Sequence, residues 1–570
     1  MTTEDTVSVD RGNASISTQF ADECTSLLHV DSNTSTVMEN RPSSFTDPKN
    51  TIYHKFKQSN IYTLLPSILL GCLIWFGTTP TDELTVTSIR LLAVFMSCIF
   101  ALITTSVDIS VLVLSALTLL SLTKSFQCTD HTTGMSTECR LCGEENPLTG
   151  TPYDCSGGKE AFHHSLEGFS SSVVWLIFAA FHLGKAVEVT KLGKRISLIM
   201  IRSFGKRVIG LAYAILLSEL LLAPFVPSNT ARGGGIVLPV VHSIATTLGS
   251  TPSHQPKVGG FLMLVGAHAN LLSASMFLTG MAPNPIVVAK ANALYPELQF
   301  NFMTWIQGSC VPALFCAATL PLVLSWSCGL YKSKTNDEEE SQQLKIDGEN
   351  IVQHAAKELH EMGTLSLKEL QLCFVLFVCL VLWVTSGYTN IDSTLVALIG
   401  IVALLHMGTV EWSDVANNKN AWETLFWLGG FVTIASQLSE AGASQFLGHK
   451  ISAAITHLKL PAVPALAIAY FLTTFMFSSL SAHTVAFVAT FLDAGFVLGA
   501  NPMTLTCLLA YFGALGGCMT NFSTGSLAMY YAPGYVTRSK WFIIGGQMAL
   551  FYLAVYFTIG MGWWKLLGWC

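Results

Sequence analysis

"PSNTARGGG" (227–235) interrupts a stretch otherwise built from Leu, Ile, Ala and Val. Three hydrogen-bonding side chains, Ser228, Asn229 and Thr230, and a formal cation, Arg232, stand between Pro227 and the glycines 233–235. In a soluble protein such a cluster is an ordinary loop. Inside a membrane it needs a reason, because backbone that is not helical survives at that depth only where protein or a watery cavity surrounds it. The solvent therefore decides how the cluster is read.

Composition settles the solvent. The 570 residues are 51% hydrophobic and 12% charged, with mean hydropathy +0.51; a soluble domain carries about 25% charged residues. Apolar runs long enough to cross a bilayer recur from residue 61 onward. The sequence predicts an all-α polytopic membrane protein of about 11 transmembrane helices plus two re-entrant hairpins. The spans are 61–77, 88–106, 108–123, 172–190, 258–281, 304–330, 369–387, 393–407, 423–439, 501–530 and 541–565. The hairpins are about 207–247 and 461–498, each too long for one span and broken by polar residues. The net charge of −6 averages over two aqueous faces and says little. Residues 1–58 read as a disordered tail without signal-peptide regions. Within it Glu23, Leu27 and Leu28 fit an acidic dileucine sorting signal, against the plainer reading of a solvated tail.

Lysines and arginines cluster at 185–207, at Lys332 and Lys334, and at Arg538 and Lys540. The positive-inside rule places these clusters and the N-terminus in the cytoplasm, and the C-terminus outside. The halves are then 59–330 and 367–570, joined by a charged cytoplasmic linker, 331–366. Loop 124–165 falls outside, where Cys128, Cys139, Cys142 and Cys155 suggest two disulfides with three possible pairings. A zinc site using Cys139 and Cys142 with His131 or His163 is the competing reading.

The halves repeat one another. "VVWLIFAAFHLGKAVEVTKLGKRI" (173–196) has a counterpart at 424–451, the break at 228–230 one at "SAHT" (481–484), and "FLTGMAPNPIVVAK" (277–290) one at 516–536. Three features recur in order, offset by roughly 240 to 255 residues, in halves of opposite orientation. Inverted repeats with interrupted helices mark a secondary transporter with a site near the bilayer midplane. There Ser228, Asn229 and Thr230 form the tip of a hairpin and offer donors to an anion. The helix beyond adds about half a positive charge at its N-terminus. Four such ends sum to about +2, which suits a dicarboxylate.

"LLAPFVPSNTARGGGIVLPVV", "LMLVGAHANLLSASMFLTGMAPNPIVV", "SLSAHTVAF" and "STGSLAMYYAPGYV" resemble the divalent anion/sodium symporter family over residues 61–565, closest to its citrate/succinate antiporter and 2-oxoglutarate/malate translocator branch. The resemblance implies an elevator-type homodimer with scaffold and transport domains, linked by arms near 191–206 and 440–457. It implies that Ser228, Asn229 and Thr230 contact a substrate carboxylate. Ala482, His483 and Thr484 take the place of a second Ser-Asn-Thr, where the sequence departs from sodium-coupled members. Pro283 and Asn284 fall in the first broken helix, and Thr520, Asn521, Ser523 and Thr524 in the second. Arg232 and His483 are then expected to stand in for sodium ions, a fixed positive charge favouring obligate exchange; the plainer readings are that Arg232 pairs with Glu219 or a lipid phosphate and that His483 is a hydrogen-bonded structural histidine. His268 and Asn270 either line the site or lock helices together; Pro283 and Pro285 break the helix. His182, His242 and His406 read as structural.

The expected activity is sodium-independent exchange of di- or tricarboxylates: malate, succinate, 2-oxoglutarate or citrate. The alternative is a sodium-coupled dicarboxylate or sulfate symporter, the one case in which an ion, Na⁺, would be bound. No metal, organic cofactor or nucleic-acid partner is expected. An intramembrane enzyme is disfavoured, since the sequence has no His-Glu-x-x-His, Gly-x-Ser-x-Gly or nucleotide-loop motif. A transporter-like receptor is left for flux to exclude. Plasma membrane and vacuolar or endolysosomal membranes both fit.

Overall fold

Pro224 and Pro227 cannot donate backbone hydrogen bonds, and two of them so close together favour a break in an apolar helix. In the computed structural model, which describes residues 60–81, 83–105, 107–147, 149–330 and 338–570, the break is present. Helix α7 (Val208–Leu222; α1–α6 are given below) ends there, and the chain resumes as π-helical turns over Thr230–Val237 that run into α8 (Leu238–Thr247). The second hairpin has the same plan. Helix α17 (Ala462–Thr473) passes through a 3₁₀ turn (Thr474–Met476), and α18 (Leu480–Val497) begins beyond, capped by Ser479, whose hydroxyl accepts from Ala482 N at 3.3 Å.

Each half also contains one broken helix. Helix α9 (Pro256–Met276) gives way to a 3₁₀ turn (Leu278–Gly280) before α10 (Asn284–Leu294). Helix α19 (Pro502–Leu515) gives way to a 3₁₀ turn (Gly516–Met519) before the short α20 (Gly525–Tyr531). These are the innermost elements. The apolar window of α9 is 94% buried and that of Pro502–Met519 is 89% buried, against 33% for α13 (Leu367–Val384). A helix buried all round belongs to the core and not to the lipid face.

The outer helices of the first half are α1 (Asn60–Gly77), α2 (Val86–Thr104), α3 (Ile109–Leu122), α5 (Ser172–Val189) and α11 (Phe302–Ser327). Those of the second are α13, α14 (Ser393–His406), α15 (Lys419–Glu440), α21 (Arg538–Val555) and α22 (Met561–Leu566). Amphipathic helices α6 (Leu192–Phe204) and α16 (Ala443–His457) follow α5 and α15, and α16 meets its hairpin at 118°. The chain from Thr63 to Cys570 forms one unit.

Among the described residues, eight helices are long and apolar enough to cross a membrane, or nine if the bent pair α16–α17 is one span, and four shorter apolar helices, among them Ile109–Leu122 and Ser393–His406, add to them. Spans 108–123 and 393–407 are 14-residue helices, about 21 Å long where the hydrocarbon is about 30 Å. Asp392 fixes one start by accepting from Thr394 N at 2.8 Å. The linker contains α12 (Glu338–Glu361). Lys194 of α6 pairs with Glu358 of α12 at 2.7 Å.

Loop 124–165 folds around a two-stranded antiparallel sheet, β1 (Gln127–Thr129) and β2 (Ser136–Glu138), and helix α4 (Gly157–Ser165). Its cysteines pair as Cys128–Cys139 and Cys142–Cys155, so they are not thiolate zinc ligands. Asp130 knots the loop. Its carboxylate accepts from Thr133 Oγ1 (2.6 Å), Thr132 N (3.2 Å) and Asp154 N (3.1 Å). These bonds, the Thr133 hydroxyl above all, hold its pKa below the usual carboxylate range. The candidate sorting signal Glu23, Leu27, Leu28 lies outside the described residues.

Candidate functional site

The first hairpin is tied to both broken helices by side-chain hydrogen bonds, and Arg232 makes several of those to the first. Its Nε donates to Glu219 Oε2 at 2.8 Å. One terminal nitrogen donates to the carbonyls of Val226 (2.6 Å) and Gly280 (2.9 Å). The other donates to Ser273 Oγ (3.0 Å) and the Asn270 carbonyl (3.4 Å). Arg232 and Glu219 are both fully buried. The planar fork of a guanidinium suits such a cage, since its donors diverge at fixed angles. Val226 belongs to the hairpin, Gly280 to the first break, and Asn270 and Ser273 to α9, so one side chain fixes three pieces of chain.

Of the readings open for Arg232, the structure shows the ion pair with Glu219. Glu219, thirteen residues earlier on α7, cancels the charge of Arg232, and the pair presents no net cation. A buried charge without a partner is costly, and Glu219 is what makes Arg232 tolerable at this depth. The signal was present as one acid in the apolar run of α7.

Asn270 resolves the choice left open for it: it locks helices. Its Nδ2 donates to Glu219 Oε2 (3.1 Å) and the Asn229 carbonyl (2.9 Å), and its Oδ1 accepts from Ser526 Oγ (2.8 Å). Asn229 Nδ2 donates to Thr524 Oγ1 at 3.0 Å. The first tip and the second break thus meet, although 295 residues separate Asn229 from Thr524. The approach is close enough to require glycine at 233, where a Cβ would lie 2.6 Å from Asn270 Nδ2.

Other expected site residues are placed differently. Asn284 spends both amide hydrogens on the first break, donating to the carbonyls of Ala274 (2.9 Å) and Phe277 (3.0 Å). Pro283 directly precedes α10, and Pro285 sits in its first turn, where proline is well accepted. Thr520 Oγ1 accepts from Ser523 N (3.1 Å), and Ser523 Oγ donates to the Gly517 carbonyl (2.7 Å). Asn521 Oδ1 is buried with no hydrogen-bond partner among the described residues. His268 Nδ1 meets the Tyr552 hydroxyl at 3.3 Å, and His182 Nδ1 meets Asn418 Nδ2 at 3.1 Å.

The second tip is buried apart from the first. Ala482, His483 and Thr484 are each 1% exposed or less. His483 Nε2 meets Thr473 Oγ1 at 3.0 Å, and its ring packs among Tyr470, Phe477 and Phe487, with centroids at 4.5, 5.3 and 5.7 Å. No carboxylate is among these contacts, so nothing in them favours the charged form that was expected of His483.

Beside the first tip lies a cavity of about 580 Å³. Ser228, Thr230 and Ala231 form one wall; Lys185 and Glu188 of α5 and Asn420 and Trp427 of α15 stand on others, with Met529 of α20. Ala482, His483 and Thr484 are not among its lining residues. Ser228 Oγ accepts from Ala231 N at 3.1 Å, which starts the π-helical turns and leaves the hydroxyl proton for a ligand. The volume suits a small organic anion.

Helix breaks from both halves converging beside one cavity are the arrangement of a membrane carrier. Residues 58–570 match the family model for the sodium:sulfate symporter transmembrane region. The chain belongs to this family. Among relatives in the symporter family, the putative malate transporter YflS of Bacillus subtilis (strain 168) is 30% identical over 90% of this chain and 98% of its own length. Dicarboxylate transporter 2, chloroplastic, of Spinacia oleracea is 28% identical over 90% of this chain and 83% of its own. The L-tartrate/succinate antiporter of Escherichia coli (strain K12) is 31% identical over 70% of this chain and 80% of its own. The protein is a multi-pass membrane transporter and not an enzyme.

Proposed function

We propose that this transporter exchanges di- or tricarboxylates without sodium. The observation that carries the proposal is the Arg232 cage. Sodium sites in carriers with broken helices are built from unwound backbone carbonyls. Here the carbonyls of Val226, Gly280 and Asn270, with Glu219 and Ser273, are taken by one guanidinium. Arg232 stands in for a sodium ion by filling the cage, and not by adding net charge. Relatives named for malate, dicarboxylates and tartrate/succinate antiport support the substrate class and the coupling. Ser228 and Thr230 then donate to one carboxylate in the cavity, with the N-terminal end of the π-helical turns behind them.

The carrier works as a homodimer by an elevator motion. The hairpins and broken helices carry the anion past a scaffold that includes α5 and α15. The end bearing the basic clusters faces the cytoplasm. Exchange is tested by loading proteoliposomes with unlabelled succinate or leaving them empty, then following labelled malate. Uptake that requires internal dicarboxylate and is indifferent to sodium is expected. Sodium-driven uptake into empty vesicles would overturn it.

A further inference from the structure

The cavity beside the first tip has two unlike walls. Ser228 and Thr230 on one side are neutral donors, and Arg232 behind them is spent on Glu219. The cation that lines the cavity is Lys185, on α5, outside both hairpins and both breaks. Its ammonium pairs with Glu188 Oε1, one turn on, at 2.8 Å. The lysine side chain is 28% exposed and the glutamate 61% exposed, so the pair stands at the mouth in contact with water. The other lining acid, Glu423, is paired with Lys419 at 3.2 Å.

We propose that Lys185 is a docking site for one carboxylate of the incoming anion, which displaces Glu188 before Ser228 and Thr230 receive the substrate. The proposal rests on the reading of this protein as a dicarboxylate carrier. The chemistry favours the exchange: an ammonium that faces a cavity and is paired with a solvated carboxylate gives up that partner at little cost, and a dianion offers it a charge-assisted hydrogen bond in return. Because Lys185 belongs to α5 and not to the hairpin, it guides substrate from the cavity side alone. An anion arriving from the opposite face does not meet it. Glu188 acts as the competitor, keeping the lysine oriented and occupied when no substrate is present.

The test compares inside-out and right-side-out membrane vesicles from Escherichia coli expressing the full chain, preloaded with unlabelled succinate and given labelled succinate. K185Q is expected to raise KM on the cavity side about fivefold relative to KM on the opposite side, and to remove the rise in cavity-side KM that added salt causes in the wild type. K185R restores the wild-type ratio, and E188Q moves it the other way. Equal KM changes on both sides, or a ratio that no Lys185 or Glu188 variant moves, would overturn the proposal while leaving dicarboxylate exchange intact. A wild type that carries neither succinate, malate, 2-oxoglutarate nor citrate in either orientation would overturn both, and shows itself before any variant is made.

Discussion

Replacing Arg232 with alanine opens the cage and leaves Glu219 buried without its partner. Removing one member of a buried ion pair costs about 3–5 kcal/mol, which shifts the folding equilibrium by about 10²- to 10³·⁵-fold. What remains is a carboxylate facing the carbonyls of Val226, Gly280 and Asn270, an anionic oxygen cage fitted to a small hard cation. Sodium binding only the folded protein would restore about 2.7 kcal/mol at a hundred times its Kd. R232A should therefore unfold at lower temperature than the wild type in choline buffer and recover much of the loss as sodium is added, while the wild type is insensitive to the exchange of cations. R232A/E219Q, which removes both charges, should be more stable in choline than R232A and respond little to sodium. Midpoints in detergent, read from intrinsic fluorescence against sodium concentration, decide it. An R232A midpoint equal to the wild type, or identical in sodium and choline, would refute the reasoning.

Other perturbations address separate parts of the fold. G233A puts a methyl against the Asn270 amide; overpacking there should cost about 1–3 kcal/mol and reduce exchange flux, whereas G546A, on α21 with open space around it, should keep flux near wild type. Opening either disulfide, whose cysteines are 11 and 13 residues apart, should cost about 3 kcal/mol in the stability of the outer loop; limited proteolysis of C128S/C139S tests this, with exchange retained. Asp130 has a folded-state pKa below its unfolded one, so its contribution is present above the unfolded value near 4 and is lost as pH falls through the folded value. D130N should make proteolysis of the loop indifferent to pH over that acidic window.

Much of the fold was legible because it was written in residues that membranes do not tolerate idly. Pro227 with Ser228, Asn229 and Thr230 announced the first hairpin, and the prolines and glycines of 277–290 and 516–536 announced the breaks. Four cysteines in one loop announced disulfides but not their partners, since pairing depends on how β1, β2 and α4 fold the loop. The site was less legible. Arg232 could be read either as a charge offered to substrate or as the partner of Glu219, Asn270 as facing either substrate or helix, and Asn284 was expected at the substrate. Polar side chains in a membrane signal that a hydrogen bond is needed, and only the folded geometry says which. Helix α12 was not legible as a span because its pattern is polar and amphipathic, without a long apolar run. Lys185 was read as one of many positive-inside residues, and its place on the cavity wall follows from how α5 packs against the hairpin.

The most direct test of the central claim is labelled succinate uptake into proteoliposomes with and without internal dicarboxylate, at matched ionic strength in sodium or choline. Sodium-independent uptake that appears only in loaded vesicles is the predicted result. Uptake into empty vesicles that follows an inward sodium gradient would contradict it, and with it the role given to Arg232 as the resident cation of the first hairpin.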